Sequence, residues 1–116
     1  ITRVRYKKAN KEAKRRLRTA EQLLKENEKE AFFEEIERAA WTYLSDRLSI
    51  PTAQLNKENI AQILTNKGVT EDTIKELHRV LSTAEFARYA PLSDHAMQDM
   101  YNDTTNIINH LENCKL

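Results

Sequence analysis

An all-α fold is what the sequence predicts: a compact bundle of about five helices, the third of them short. Three observations carry that reading. Apolar residues recur at spacings of three and four through most of the chain, the signature of one face of a helix. No run shows the β-branched alternation of a strand. Gly68, Pro51 and Pro91 fall between the periodic stretches rather than inside them, so backbone preference and hydrophobic pattern agree.

Helix one is expected from about Lys7 to Lys25, because Ala9, Ala13, Leu17, Ala20 and Leu24 form one narrow stripe whose alanines permit close approach of a neighbour. Asn27 and Glu28 mark the break after it. Helix two is expected over about Glu30 to Leu48, with Phe32, Phe33, Ile36, Ala39, Ala40, Tyr43, Leu44 and Leu48 covering a wide face; it is the core helix. Trp41 sits beside that stripe, where its ring can cover the core edge or anchor a partner. Pro51 ends this helix by restricting Ile50 to extended geometry and removing an N–H.

A short third helix follows from about Lys57 to Thr65, with Asn56 as N-cap and Ile60, Ile63 and Leu64 inward. Gly68 supplies the left-handed turn that ends it. Thr70 caps helix four, whose first turn carries Glu71 and Asp72 at the positive end of the helix dipole; the expected span is Glu71 to Arg88, burying Ile74, Leu77, Val80, Leu81 and Ala84. After Pro91, Ser93 is the expected cap of a last helix from about Asp94 to Glu112, burying Met97, Met100 or Tyr101, Thr104, Ile107, Ile108 and Leu111. The connections are short and 116 residues suit one domain, with a radius of gyration expected near about 13 Å.

Several function classes recede on composition. No stretch is apolar enough to span a bilayer, and one cysteine, Cys114, cannot close an internal disulfide. A single glycine argues against a phosphate-cradling loop. The three histidines, His78, His95 and His110, form no HExxH pair, and His110 with Cys114 gives two terminal ligands where a closed zinc site needs four. Acid pairs such as Glu34 with Glu37, Glu71 with Asp72, and Asp99 with Asp103 are expected to be solvated, since general acid or base work needs a desolvated pocket. No serine elbow or cysteine–histidine catalytic motif is present. The expectation is a non-enzymatic chain with no metal and no cofactor.

Charge is unevenly spread. Residues 1–30 hold 11 Lys or Arg against 5 acids, a net of +6, and the remainder holds 8 against 13, a net of −5. Nine cations fall in the first 18 positions: Arg3, Arg5, Lys7, Lys8, Lys11, Lys14, Arg15, Arg16 and Arg18. This run reads as a solvated helix face, as a membrane-proximal segment attracted by anionic headgroups, or as a nucleic-acid contact. The last is weakened because Tyr6 alone interrupts the run and makes no stacking platform. A helix-turn-helix around Gly68 is conceivable, but its second helix carries Glu71, Asp72, Glu76 and Glu85, a poor balance for facing phosphates; no nucleic-acid partner is expected. The chain opens on Ile1, which points to a piece of something longer.

In the segment from Glu85 to Pro91, Phe86 and Tyr89 are three apart and share a side of a turn. Arg88 and Tyr89 are either a packed helix exit or, with Trp41, part of a protein-binding patch. A wider pattern contains this segment: Ala31 to Phe33 leading to Arg38, Ala39, Ala40, Trp41, Tyr43, Leu44, Asp46, Arg47 and Leu48; Ile50, Pro51 and Leu55; Asn59 and Ile60; Gly68 and Val69; then Glu85 to Pro91, read EFARYAP. The pattern resembles the C-terminal cytoplasmic domain of the BatD family of bacterial aerotolerance-related membrane proteins, with EFARYAP its most specific block.

That resemblance implies a protein whose large N-terminal portion lies outside the inner membrane, followed by one span and this helical domain on the cytoplasmic side. It further implies an envelope complex with von Willebrand factor A-domain proteins and a MoxR-type AAA ATPase. Residues 1–18 then become the basic part next to the membrane, as the inside-positive rule requires. No catalytic residue follows from it. The expected role is a protein-interaction domain, with a purely structural tail as the alternative.

Overall fold

The computed structural model describes residues 2–87 and 94–114, with side chains from 11 to 87 and from 96 to 114. Five α-helices make up these residues: α1 (Thr2–Lys25), α2 (Lys29–Leu48), α3 (Lys57–Asn66), α4 (Glu71–Phe86) and α5 (Asp94–Glu112), with a 3₁₀ turn at Thr52–Gln54. Among the described residues there is no strand, and the all-α bundle expected from the periodicity is what forms. Its radius of gyration is 13.6 Å, and its longest dimension, 38 Å, is close to the length of α1, about 36 Å at 1.5 Å per residue.

Four long helices form a ring. α1 packs on α2 and α5, and α4 closes the ring between those two; α2 and α5 also touch across the middle. Side-chain pairs show the directions. Arg16 meets Glu35, Arg47 meets Glu112 and Tyr101 meets Glu21, and the start of α4 at Asp72 and Glu76 lies along the later half of α5 from Asp103 to His110, so α1 and α4 run opposite to α2 and α5. α3 stands outside the ring against α4. This is an antiparallel four-helix arrangement with one short helix inserted in the α2–α4 connection.

The wide apolar face of α2 places it at the centre. Phe32, Phe33, Ile36, Ala39, Ala40, Tyr43 and Leu44 are all buried, and the Phe32 and Phe33 rings meet edge to face with centroids 5.1 Å apart. Ala13, Leu17 and Ala20 supply the narrow stripe of α1, small enough for close helix approach. Met97, Met100, Thr104, Ile107, Ile108 and Leu111 complete the core from α5. Met100 takes the buried position for which Tyr101 is the other candidate; Tyr101 lies half-buried beside it.

The turns explain where helices stop. At Asn27 the backbone is left-handed (φ 58°), Glu28 N–H donates to the Leu23 carbonyl and Asn27 N–H to that of Leu24, the paired bonds of a Schellman motif. Gly68 (φ 87°) repeats it, with Val69 N–H on Leu64 and Gly68 N–H on Thr65. Ser49 (φ 58°) ends α2 in the same backbone region, one residue before the expected proline boundary, and Ser45 Oγ donates to the Ile50 carbonyl at 2.6 Å. At the other ends, Asn56 caps α3 by accepting from Glu58 and Asn59 N–H while Asn59 Oδ1 accepts from Asn56 N–H. Thr70 Oγ1 accepts from Thr73 N–H at the start of α4.

Four expectations shift. α1 begins at Thr2 rather than near Lys7, because nothing in residues 2–6 breaks a helix and the register continues. α4 stops at Phe86, two residues short of Arg88. The Thr52–Gln54 turn has no counterpart in the periodicity, and Ile74 is half-buried rather than buried. The expected Ser93 cap lies outside the described residues.

Candidate functional site

Helical register sorts the basic run of α1 into two kinds of cation. Ala13, Leu17 and Ala20 turn one face into the bundle, which leaves Lys11, Lys14, Arg15 and Arg18 exposed. Arg15 is held by Glu12 one turn away at 2.8 Å. Arg16 lies on the flank toward α2 and pairs with Glu35 at 3.2 Å, both partners being largely covered. Lys11, Lys14 and Arg18 make no ion pair with a described residue and, at spacings of three and four, stand in one row along the helix. Arg3, Arg5, Lys7 and Lys8 fall within α1, but their side chains lie outside the described residues.

Of the candidate partner-binding residues, only Trp41 is placed. It is half-buried on α2 against the core edge. Arg88 and Tyr89 lie outside the described residues, so the three are not brought together as one patch. Phe86, the last residue of α4, is 69% exposed, the one large apolar side chain so exposed among the described residues.

The structure adds two clusters that sequence reasoning missed. The first surrounds Arg47, whose side chain is 2% exposed. Its Nη1 donates to Glu112 Oε2 at 3.0 Å, and Nη2 donates to the carbonyls of Leu111 at 3.1 Å and Cys114 at 2.7 Å. Tyr43, one turn earlier on α2, donates its hydroxyl to the same Glu112 oxygen at 2.5 Å. Burial, and then this hydrogen bond to a carboxylate, push the Tyr43 phenol well above the usual tyrosine range. Chemically, the cluster caps a helix end: the buried cation satisfies the Cys114 carbonyl and shares that of Leu111, which also accepts from the Cys114 N–H. The available signal was Arg47 at the i+4 position from Tyr43 on the apolar face of α2.

The second is a groove of about 240 Å³ between the start of α4 and the last turns of α5, lined by Asp72, Thr73, Glu76, Asp103, Asn106, Ile107 and His110. Arg79 bridges its two walls, reaching Glu76 at 2.8 Å and Asp103 at 2.7 Å, and these bonds hold its guanidinium above its ordinary range. Elsewhere Glu34 pairs with Arg38 at 3.5 Å and Glu71 with Lys75 at 3.4 Å, all four solvated, but Glu37 departs from the expectation: it is half-buried, with its Oε2 shielded from water. His78 is exposed beside Ser82, and Cys114 Sγ faces the His110 carbonyl rather than its ring. Among the described residues no three His, Cys, Asp or Glu side chains are grouped to hold a metal ion, and no helix is long and apolar enough to cross a membrane.

Most residues of the BatD-like pattern now have a physical role. Ala39, Ala40, Tyr43 and Leu44 are core, Arg47 is the cap of α5, Pro51 and Leu55 shape the exit from α2, Asn59 completes the capping box of α3, and Gly68 ends that helix. Compared with protein-family models, curated proteins and solved structures, the chain finds no match.

Proposed function

We propose that the chain is a non-enzymatic protein-interaction domain of the BatD type, on the cytoplasmic side of a single-span bacterial membrane protein that assembles with A-domain proteins and a MoxR-type AAA ATPase. The observation that carries it is the outward basic face of α1. Lys11, Lys14, Arg15 and Arg18 turn away from the core, and an excess of positive charge of this kind holds a neighbouring membrane span in the inside-positive orientation. The resemblance over Ala31 to Pro91 supports the same placement.

Co-purification from membranes tests the reading. The full-length protein is expected to retain the A-domain protein and ATPase encoded beside it, and to lose at least one when this domain is deleted. Trp41→Ala is expected to weaken that association while leaving helical content intact. Unchanged association after both changes removes the proposal. A purely structural tail is the second reading, favoured by one observation: most of the described pattern residues are spent on packing and capping rather than on the surface.

A further inference from the structure

We infer that the folded domain lies lengthwise against an anionic lipid surface through a row of three cations on α1, Lys11, Lys14 and Arg18. This goes further than the positive-inside placement above, which concerns how a span is oriented and needs no lasting contact with lipid. It rests on that reading only for where the lipid is.

Three observations point there. First, Lys11, Lys14 and Arg18 are exposed and carry no ion pair with a described residue, whereas Arg15 is held by Glu12 and Arg16 by Glu35. Their charge is free for an outside partner. Second, the row is straight, running along about 10 Å of helix at 1.5 Å per residue, so a flat surface meets all three at once. Third, the acids of α1 are already matched, Glu12 by Arg15 and Glu21 by Lys25, and an acidic cluster lies on other helices. α1 contacts α2 and α5 but not α4 among the described residues, while Asp72, Glu76 and Asp103 gather at the α4–α5 seam. A plane laid on the outer face of α1 therefore meets the cations, while the acidic seam belongs to α4 and α5. A nucleic acid offers phosphate too, but residues 11–25, which carry the row, include no aromatic side chain for bases to stack on.

Co-sedimentation of the 116-residue chain with vesicles tests this, comparing phosphatidylglycerol mixed into phosphatidylcholine against phosphatidylcholine alone. Each cation near an anionic leaflet contributes about 1 kcal/mol, so the triple variant Lys11→Gln/Lys14→Gln/Arg18→Gln is expected to bind anionic vesicles about 100-fold more weakly. A control of equal net charge, Lys57→Gln/Lys67→Gln/Lys75→Gln, is expected to bind as the parent does. For the parent, binding is expected to fall steeply with added salt, which also serves if a triple variant does not fold. Equal binding to neutral and anionic vesicles, equal losses in both triples, salt-insensitive binding, or duplex binding at salt where vesicles are not bound each overturns it. Vesicle binding is read without any protein partner, so its failure is distinct from failure of the proposed complex.

Discussion

Arg47 shows how much a single side chain can depend on distant sequence. Its guanidinium lies inside the bundle and is matched by one carboxylate and two carbonyls, all from the end of α5 and the turn after it. Removing it leaves those groups facing a cavity, so Arg47→Met is expected to lower unfolding free energy by about 3 kcal/mol in urea titration. Replacing Arg79, half-exposed with two acids, is expected to cost under about 1 kcal/mol by the same measurement. Thr104 has the opposite sign. Its Oγ1 is buried among apolar neighbours with no hydrogen-bond partner among the described residues, so Thr104→Val is expected to stabilise by about 1 kcal/mol and raise the melting temperature. Tyr43 sets an alkaline limit. Its folded pKa is raised above the unfolded value of about 10, so the stability it contributes is complete below that pH and declines as pH rises past it. Tyr43→Phe is expected to flatten that alkaline decline in denaturation curves taken across pH. At Arg47 only its place on the apolar face of α2, one turn after Tyr43, was legible, because its partner Glu112 lies 65 residues away and only the folded chain joins them.

At the level of elements, the helix ends separate what sequence can show from what it cannot. Gly68 was readable as a left-handed stop because glycine is the residue that adopts positive φ without strain. Asn27 was readable as a break, while Ser49 takes φ 58° with no compositional mark. The space that a methyl group on Gly68 would enter is empty out to 4 Å, so Gly68→Ala meets no clash and its whole cost is backbone strain. That cost is expected to be about 1 kcal/mol, seen as a lowered urea midpoint with an unchanged slope. The amphipathic stripes of α2, α4 and α5 were legible throughout, since each recurs over several turns and Phe32 to Leu44 leaves little choice of inward face. The start of α1 was less so: Thr2 to Tyr6 has no strong apolar period, and its helicity follows from continuity rather than pattern.

For the molecule as a whole, charge segregation is the feature the sequence showed most directly and the fold most clearly interprets. Residues 1–30 carry +6 and the rest −5, and Arg16 with Glu35 is a point where the halves meet. Their mutual attraction is screened by salt, so raising ionic strength is expected to lower stability modestly, by about 1 kcal/mol, measured as a fall in melting temperature with sodium chloride. What the sequence could not show was how the ring of helices distributes those charges in space. α1 and α4 share no contact among the described residues, which puts the free cations on one flank and the Asp72, Glu76 and Asp103 seam on another.

That separation gives the domain an electrical polarity. Two bodies of opposite sign, approaching from different sides, do not compete for the same area.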